Sequence, residues 1–78
     1  ITQTLGKIMT LDNAIAKLQK HGFNIKSNLG SHVATRNDVS ISFFDQNGKT
    51  SKFTFNDKNA CEPTYGLSLK MALEFAYM

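Results

Sequence analysis

Two histidines occur in the chain, His21 and His32, and the second stands where chemistry could be assembled around it. The stretch "LGSHVATR", Leu29 to Arg36, sets His32 just after a turn, with Lys26 upstream and Arg36, the single arginine, downstream. An imidazole with an ordinary pKa of about 6.5 takes or gives a proton at neutral pH. Attack of a ribose 2′-hydroxyl on its neighbouring phosphodiester needs a base near the hydroxyl and cations around the phosphate. His32, Lys26 and Arg36 could supply both, as a metal-independent endoribonuclease would require. No second proton-transfer group is visible, and the plain alternative is a hairpin histidine facing water.

Other chemistry has less behind it. His21 reads as a helix-end residue beside the negative end of the helix dipole. Cys61 has no histidine beside it in sequence and reads as a buried or loop thiol. No Cys or His pair has metal-ligand spacing, so neither a metal nor a cofactor is expected. Asp38, Asp45 and Asp57 fall in turns and loops rather than in a carboxylate pair, and no phosphate-cradling glycine loop occurs.

The elements that must position these residues can be read from periodicity. "TLDNAIAKLQKH" carries Leu11, Ala14, Ile15 and Leu18 at helical spacing. Thr10 is its N-cap, Asp12 lies in the first turn, Lys17, Lys20 and His21 lie near the end, and Gly22 stops it. Phe23 to Asn28 alternates as a half-buried strand, and Leu29-Gly30-Ser31 reads as a turn. One long strand, bent near Asn37-Asp38, is expected from Val33 to Phe43. Its unbroken parity points Val33, Val39, Ile41 and Phe43 inward and Ala34, Arg36, Ser40 and Ser42 outward.

In "DQNGK" a three-residue loop with Gly48 in the left-handed conformation would pair Ile41 with Phe53 and Val39 with Phe55. "NDKNACEPT" is expected as a loop, and "YGLSLKMALEFAYM" as a helix apolar almost all round. Either this helix packs against the first helix as well as the sheet, or Leu69, Met71 and Phe75 form a partner surface, a homodimer contact included. Residues 1–9 could add a strand or form a tail.

The fold class that follows is α+β, in the order α-β-β-β-α. Two helices cover one face of a three-stranded antiparallel sheet and leave the other open. On that parity the open face carries Asn24, Lys26, Asn28, His32, Arg36, Ser40, Ser42, Lys52 and Thr54. A solvated sheet face is one reading. The other is an RNA-contacting face, with Lys26, Arg36 and Lys52 at phosphates and groups such as Asn28 and Ser40 at sugar hydroxyls.

Seventy-eight residues allow one small domain, spanning 1–78. The net charge of +3 permits a polyanionic partner, and the scattered basic residues argue against a heparin-type patch. A single cysteine allows no intramolecular disulfide and points to a reducing, cytoplasmic setting. No apolar run approaches the ~18 residues of a membrane span, and the first ten residues lack the apolar run of a signal peptide.

The segment "AIAKLQKHGFNIKSNLGSH", Ala14 to His32, resembles the start of HicA-type mRNA interferase toxins. In that family an amphipathic helix ending in L-x-x-x-G-[FW] leads through one strand to a G-S-H turn. Leu18, Gly22, Phe23, Gly30, Ser31 and His32 match in order without a gap. The family's helix and strand order, in the double-stranded-RNA-binding-like fold, agrees with the order above. The resemblance implies an RNA-cleaving toxin, with His32 where the family's catalytic histidine stands and a HicB-type antitoxin as partner. It covers about a quarter of the chain. Where the family commonly has V-P-x-H after the third strand, this chain has "FTFNDKNACEP", without histidine. The alternative is a non-catalytic interaction module, such as a phage or mobile-element protein that binds a host factor.

Overall fold

The computed structural model describes residues 9–50 and 52–77. The strand or tail expected over residues 1–9 lies outside them except for Met9. With Thr10, Met9 forms β1 (Met9–Thr10).

Helix α1 (Leu11–Lys20) starts as its sequence requires: Thr10 Oγ1 accepts the Asn13 N–H at 3.2 Å. Ala14 and Leu18 are its fully buried residues, and Gly22 at φ +88 turns the chain into the sheet. Strands β2 (Asn24–Asn28) and β3 (Ser31–Arg36) form a hairpin across the two-residue turn Leu29-Gly30, at φ +48 and +82. Strand β4 (Val39–Phe44) follows after Asn37-Asp38, where Asn37 supplies a positive φ of 55. Then come β5 (Lys49–Thr50), paired with β1, and β6 (Phe53–Asp57). Last are β7 (Thr64–Leu67) and helix α2 (Leu69–Ala76), whose N-cap Ser68 accepts the Met71 N–H.

The protein is therefore α+β, with an antiparallel sheet of five strands rather than three, ordered β2-β3-β4-β6-β7, and a separate β1-β5 pair. Two cross-strand rows build the buried face. Ile25, Ala34, Ile41 and Phe55 lie in register, as do Ser27, His32, Phe43 and Phe53, with Leu67 opposite Phe53. Both helices contribute to the core that covers these rows, α1 through Ala14 and Leu18, α2 through Leu69, Ala72 and Leu73. The rings of Phe43 and Phe53 lie 4.9 Å apart at its centre.

Three expectations are corrected. The bent strand is a hairpin, with Arg36 opposite Val39 across the Asn37-Asp38 turn. Directly opposed residues share a face, so the turn reverses the expected parity of β3 and leaves that of β2 as it was. His32, Ala34 and Arg36 point toward the helices and Val33 points away. The β4–β6 register places Ile41 opposite Phe55, Phe43 opposite Phe53 and Val39 opposite Asp57. A two-residue Asn47-Gly48 turn closes only the Gln46–Lys49 bridge, and β5 then pairs with β1, so the shift is by two residues and preserves the inward face. Finally, Thr64 to Leu67 is strand, with Gly66 at φ +71, and the last helix begins only at Leu69.

Candidate nucleic-acid interface

His32 is 5% exposed and both of its ring nitrogens are engaged. Nε2 lies 2.6 Å from Asp45 Oδ1, and Nδ1 lies 2.6 Å from Ser27 Oγ. A carboxylate only accepts, so Nε2 carries a proton, and in the neutral ring Nδ1 accepts from the Ser27 hydroxyl. In the imidazolium, Nδ1–H donates to the same oxygen instead. The ring also stacks on Phe43, centroids 5.2 Å apart. The hydrogen bond from His32 holds the Asp45 carboxyl below its ordinary 3.8, against the opposing effect of partial burial. The Asp45 N–H donates to Gly30 O at 3.0 Å. The cluster thus ties the β2–β3 turn to the end of β4.

Such an imidazole is poorly placed as the base of a ribonuclease. A general base needs a nitrogen that reaches substrate, directly or through one water. Here neither nitrogen is free, and the ring lies on the helix-covered face.

Arg36 is likewise on that face, where the two helices end. Nη1 donates to His21 O at 3.0 Å and Nη2 to Ala76 O at 3.3 Å. The guanidinium carbon stands 5.0 Å from the Phe23 ring centroid and 4.4 Å from that of Tyr77. Carbonyls at helix C-termini carry the negative ends of the helix dipoles, which a fixed cation complements. Gly22 makes room: a Cβ there would come within 3.4 Å of the Arg36 side chain. Tyr77 closes the junction, its hydroxyl 2.9 Å from His21 Nδ1. Arg36 therefore joins α1, β3 and α2 rather than waiting for phosphate.

The open face consists of three other cross-strand rows. Asn24, Thr35, Ser40 and Asn56 form one, and Lys26, Val33, Ser42 and Thr54 the next. Asn28, Ser31 and Phe44 form the third. None of these residues is acidic. Lys26 and Asn28 are exposed, and Ser40 is half-buried. Lys52 is exposed just before β6. The one ion pair among the described residues is His32–Asp45, so Lys26 and Lys52 carry their charge into solvent. The structure thus brings Lys26, Asn28 and Ser40 onto one surface, sets Lys52 at its border, and removes His32 and Arg36 from it.

The partner-surface residues separate too. Leu69 is in the core, Phe75 is half-buried with its ring 5.7 Å from that of Phe55 at a steep angle, and Met71 is half-exposed. With Leu67 in β7, the helix has an ordinary buried side, and Met71 and Tyr77 are its exposed large hydrophobics. No helix among the described residues is long and apolar enough to cross a membrane. No group of three or more potential metal ligands stands together there.

Sequence reasoning missed Ser27, Asp45 and Phe44. Ser27 becomes His32's neighbour once Leu29-Gly30 is taken as a two-residue turn. Phe44 was visible in the pair "FF", because consecutive strand residues must point to opposite faces. Asp45 had no local signal, since only strand register brings it to His32. Comparison with family models, with curated proteins and with solved structures finds no match for this chain.

Proposed function

We propose that this chain is an RNA-binding domain that meets mRNA through the open face of its five-stranded sheet. The observation that carries the reading is the acid-free composition of that face: Lys26 opposite Val33, amid asparagine, serine and threonine, with Lys52 at its border. Ammonium groups match phosphates, and amides and hydroxyls match ribose 2′-hydroxyls, the group that separates RNA from DNA. The resemblance of Ala14 to His32 to HicA-type toxins points to the same polymer. An antiparallel sheet flanked by a first and a last helix supports a double-stranded-RNA-binding-like fold, enlarged by two strands in the sheet and by the β1-β5 pair. A toxin of this kind would act by occupying mRNA, with a HicB-type antitoxin as its partner. His32, with both nitrogens engaged, holds the fold and leaves the RNA uncut.

Fluorescence anisotropy with a labelled RNA, repeated across salt concentrations, tests the proposal. Wild type should bind, with affinity falling as salt rises. Lys26→Ala should weaken binding to all sequences and lower the salt slope by about 1. The RNA should run intact on a gel after incubation. Absence of binding at low salt sinks the reading. Cleavage that is lost in a folded His32→Ala variant would restore the catalytic one.

A further inference from the structure

We propose that the open face selects single-stranded RNA, with Phe44 as the platform on which an unpaired base stacks. This deepens the RNA-binding reading and rests on it. Phe43 is 2% exposed and Phe44 is 73% exposed, the two outcomes of adjacent positions in one strand. Phe44 ends the row it shares with Asn28 and Ser31, at the edge of the face where the Leu29-Gly30 turn stands. Leu29 in that turn is 100% exposed and holds φ +48, a conformation that favours glycine. A leucine there is unfavourable in backbone and side chain alike, and no packing among the described residues compensates it. One end of a polar, acid-free surface therefore carries an aromatic ring and a second apolar group, both facing water.

The chemistry around the ring favours nucleic acid as its occupant. Every base has a π-face, and stacking on an aromatic side chain tolerates any sequence. Lys26 lies in the adjacent row, two strands from Phe44. Strand spacing and rise put its Cα on the order of 12 Å from that of Phe44. At that distance its ammonium meets the phosphate of a neighbouring nucleotide rather than that of the stacked one. Ser31, opposite Phe44, and Asn28, one strand further along the same row, offer hydrogen bonds to base edges or sugar hydroxyls. A second copy of the same face would set Lys26 against another face without an acid to answer it. Duplex RNA keeps its bases stacked on one another and its deep groove closed to side chains, so it offers Phe44 nothing.

The test compares a single strand of about 12 nucleotides with a duplex of about 16 base pairs, using wild type, Phe44→Ala and Phe44→Tyr. Wild type should prefer the single strand. Phe44→Ala should lose about 5- to 140-fold on the single strand, with duplex binding and salt slope unchanged, and Phe44→Tyr should keep most of the affinity. A 2-aminopurine placed in the strand should be quenched by wild type and Phe44→Tyr but not by Phe44→Ala. Equal single-strand binding by wild type and Phe44→Ala, or preference for the duplex, overturns the stacking role while leaving RNA binding standing. Failure of wild type to bind either RNA removes the parent reading. A wild-type dimer that Phe44→Ala converts to a monomer would make the ring a contact between copies and overturn the proposal. Because the ring is exposed, the melting temperatures of the variants should match wild type, which confirms that they fold.

Discussion

The two faces of the sheet are built from the same strands and alternate residue by residue, yet they use polar groups in opposite ways. On the helix-covered face an imidazole and a guanidinium are held by fixed partners: His32 by Ser27 and Asp45, Arg36 by the last carbonyls of both helices. On the open face Lys26, Asn28 and Ser40 have no such ties among the side-chain hydrogen bonds of the described residues. Residue type alone would rank His32 and Arg36 as the chemical groups of the chain. Their surroundings make them structural, because a polar group taken from water must be paired and, once paired, has little left to offer a ligand.

The sharpest break of this comparison lies in two neighbouring phenylalanines. Phe43→Ala empties the centre of the core, between His32 and Phe53, and should cost about 3–5 kcal/mol. Phe44→Ala removes a ring from water and should stay within about 0.5 kcal/mol of wild type. Chemical denaturation of both variants measures the difference. Similar losses would mean that the two rings are not divided between a buried and an open face, and a larger loss for Phe44→Ala that the faces are assigned the wrong way round.

That assignment was also the hardest thing to read from the sequence. The first helix, with Thr10 and Gly22 at its ends, and the β2, β4 and β6 segments are legible in periodicity and capping. The inward face of β3 is not. Val33 and Ala34 are adjacent and both apolar, so the strand reads equally well in either parity, and the choice depends on whether Asn37-Asp38 bends a strand or closes a hairpin. One two-residue turn moves His32 and Arg36 from solvent to the core, and with them the expected active site. Strand β7 was masked by an apolar run that continues into α2. Gly66 and the capping serine Ser68 were the local signs of the boundary. Lys26, Asn28 and Ser40 kept their predicted face because the strands that hold them were read in the correct parity.

Next in size is Arg36. Arg36→Ala would leave the His21 and Ala76 carbonyls without the guanidinium and open the space between Phe23 and Tyr77. Hydrogen bonds to a charged group contribute about 1.5–3 kcal/mol. A loss near 2 kcal/mol would lower the melting temperature of a domain this size by roughly 8–16 °C. Arg36→Lys should recover only part, because an ammonium cannot reproduce the planar fork that reaches two helix ends. Thermal melts and RNA binding should be measured together. An Arg36→Ala protein that melts like wild type but binds RNA more weakly would return this residue to the interface.

The smallest effect is confined to acid and isolates the His32 cluster. Hydrogen bonding from His32 lowers the Asp45 carboxyl below 3.8, so in acid the unfolded chain takes up this proton before the folded one does. The stability Asp45 contributes is therefore complete above the unfolded value of 3.8 and is lost as pH falls through the lower, folded value. Asp45→Asn keeps an oxygen that can accept from His32 Nε2–H but removes the titration. Thermal melts from neutral pH into acid should show wild type more stable than Asp45→Asn at pH 6, with the gap closing below 3.8. Ser27 separates the hydrogen bond from the charge, because its hydroxyl serves His32 as donor or acceptor. Ser27→Ala should lower stability at every pH while leaving the acid-dependent slope in place. If Asp45→Asn follows wild type in parallel through the whole range, the His32–Asp45 contact does not hold in solution, and His32 regains a free nitrogen on the covered face.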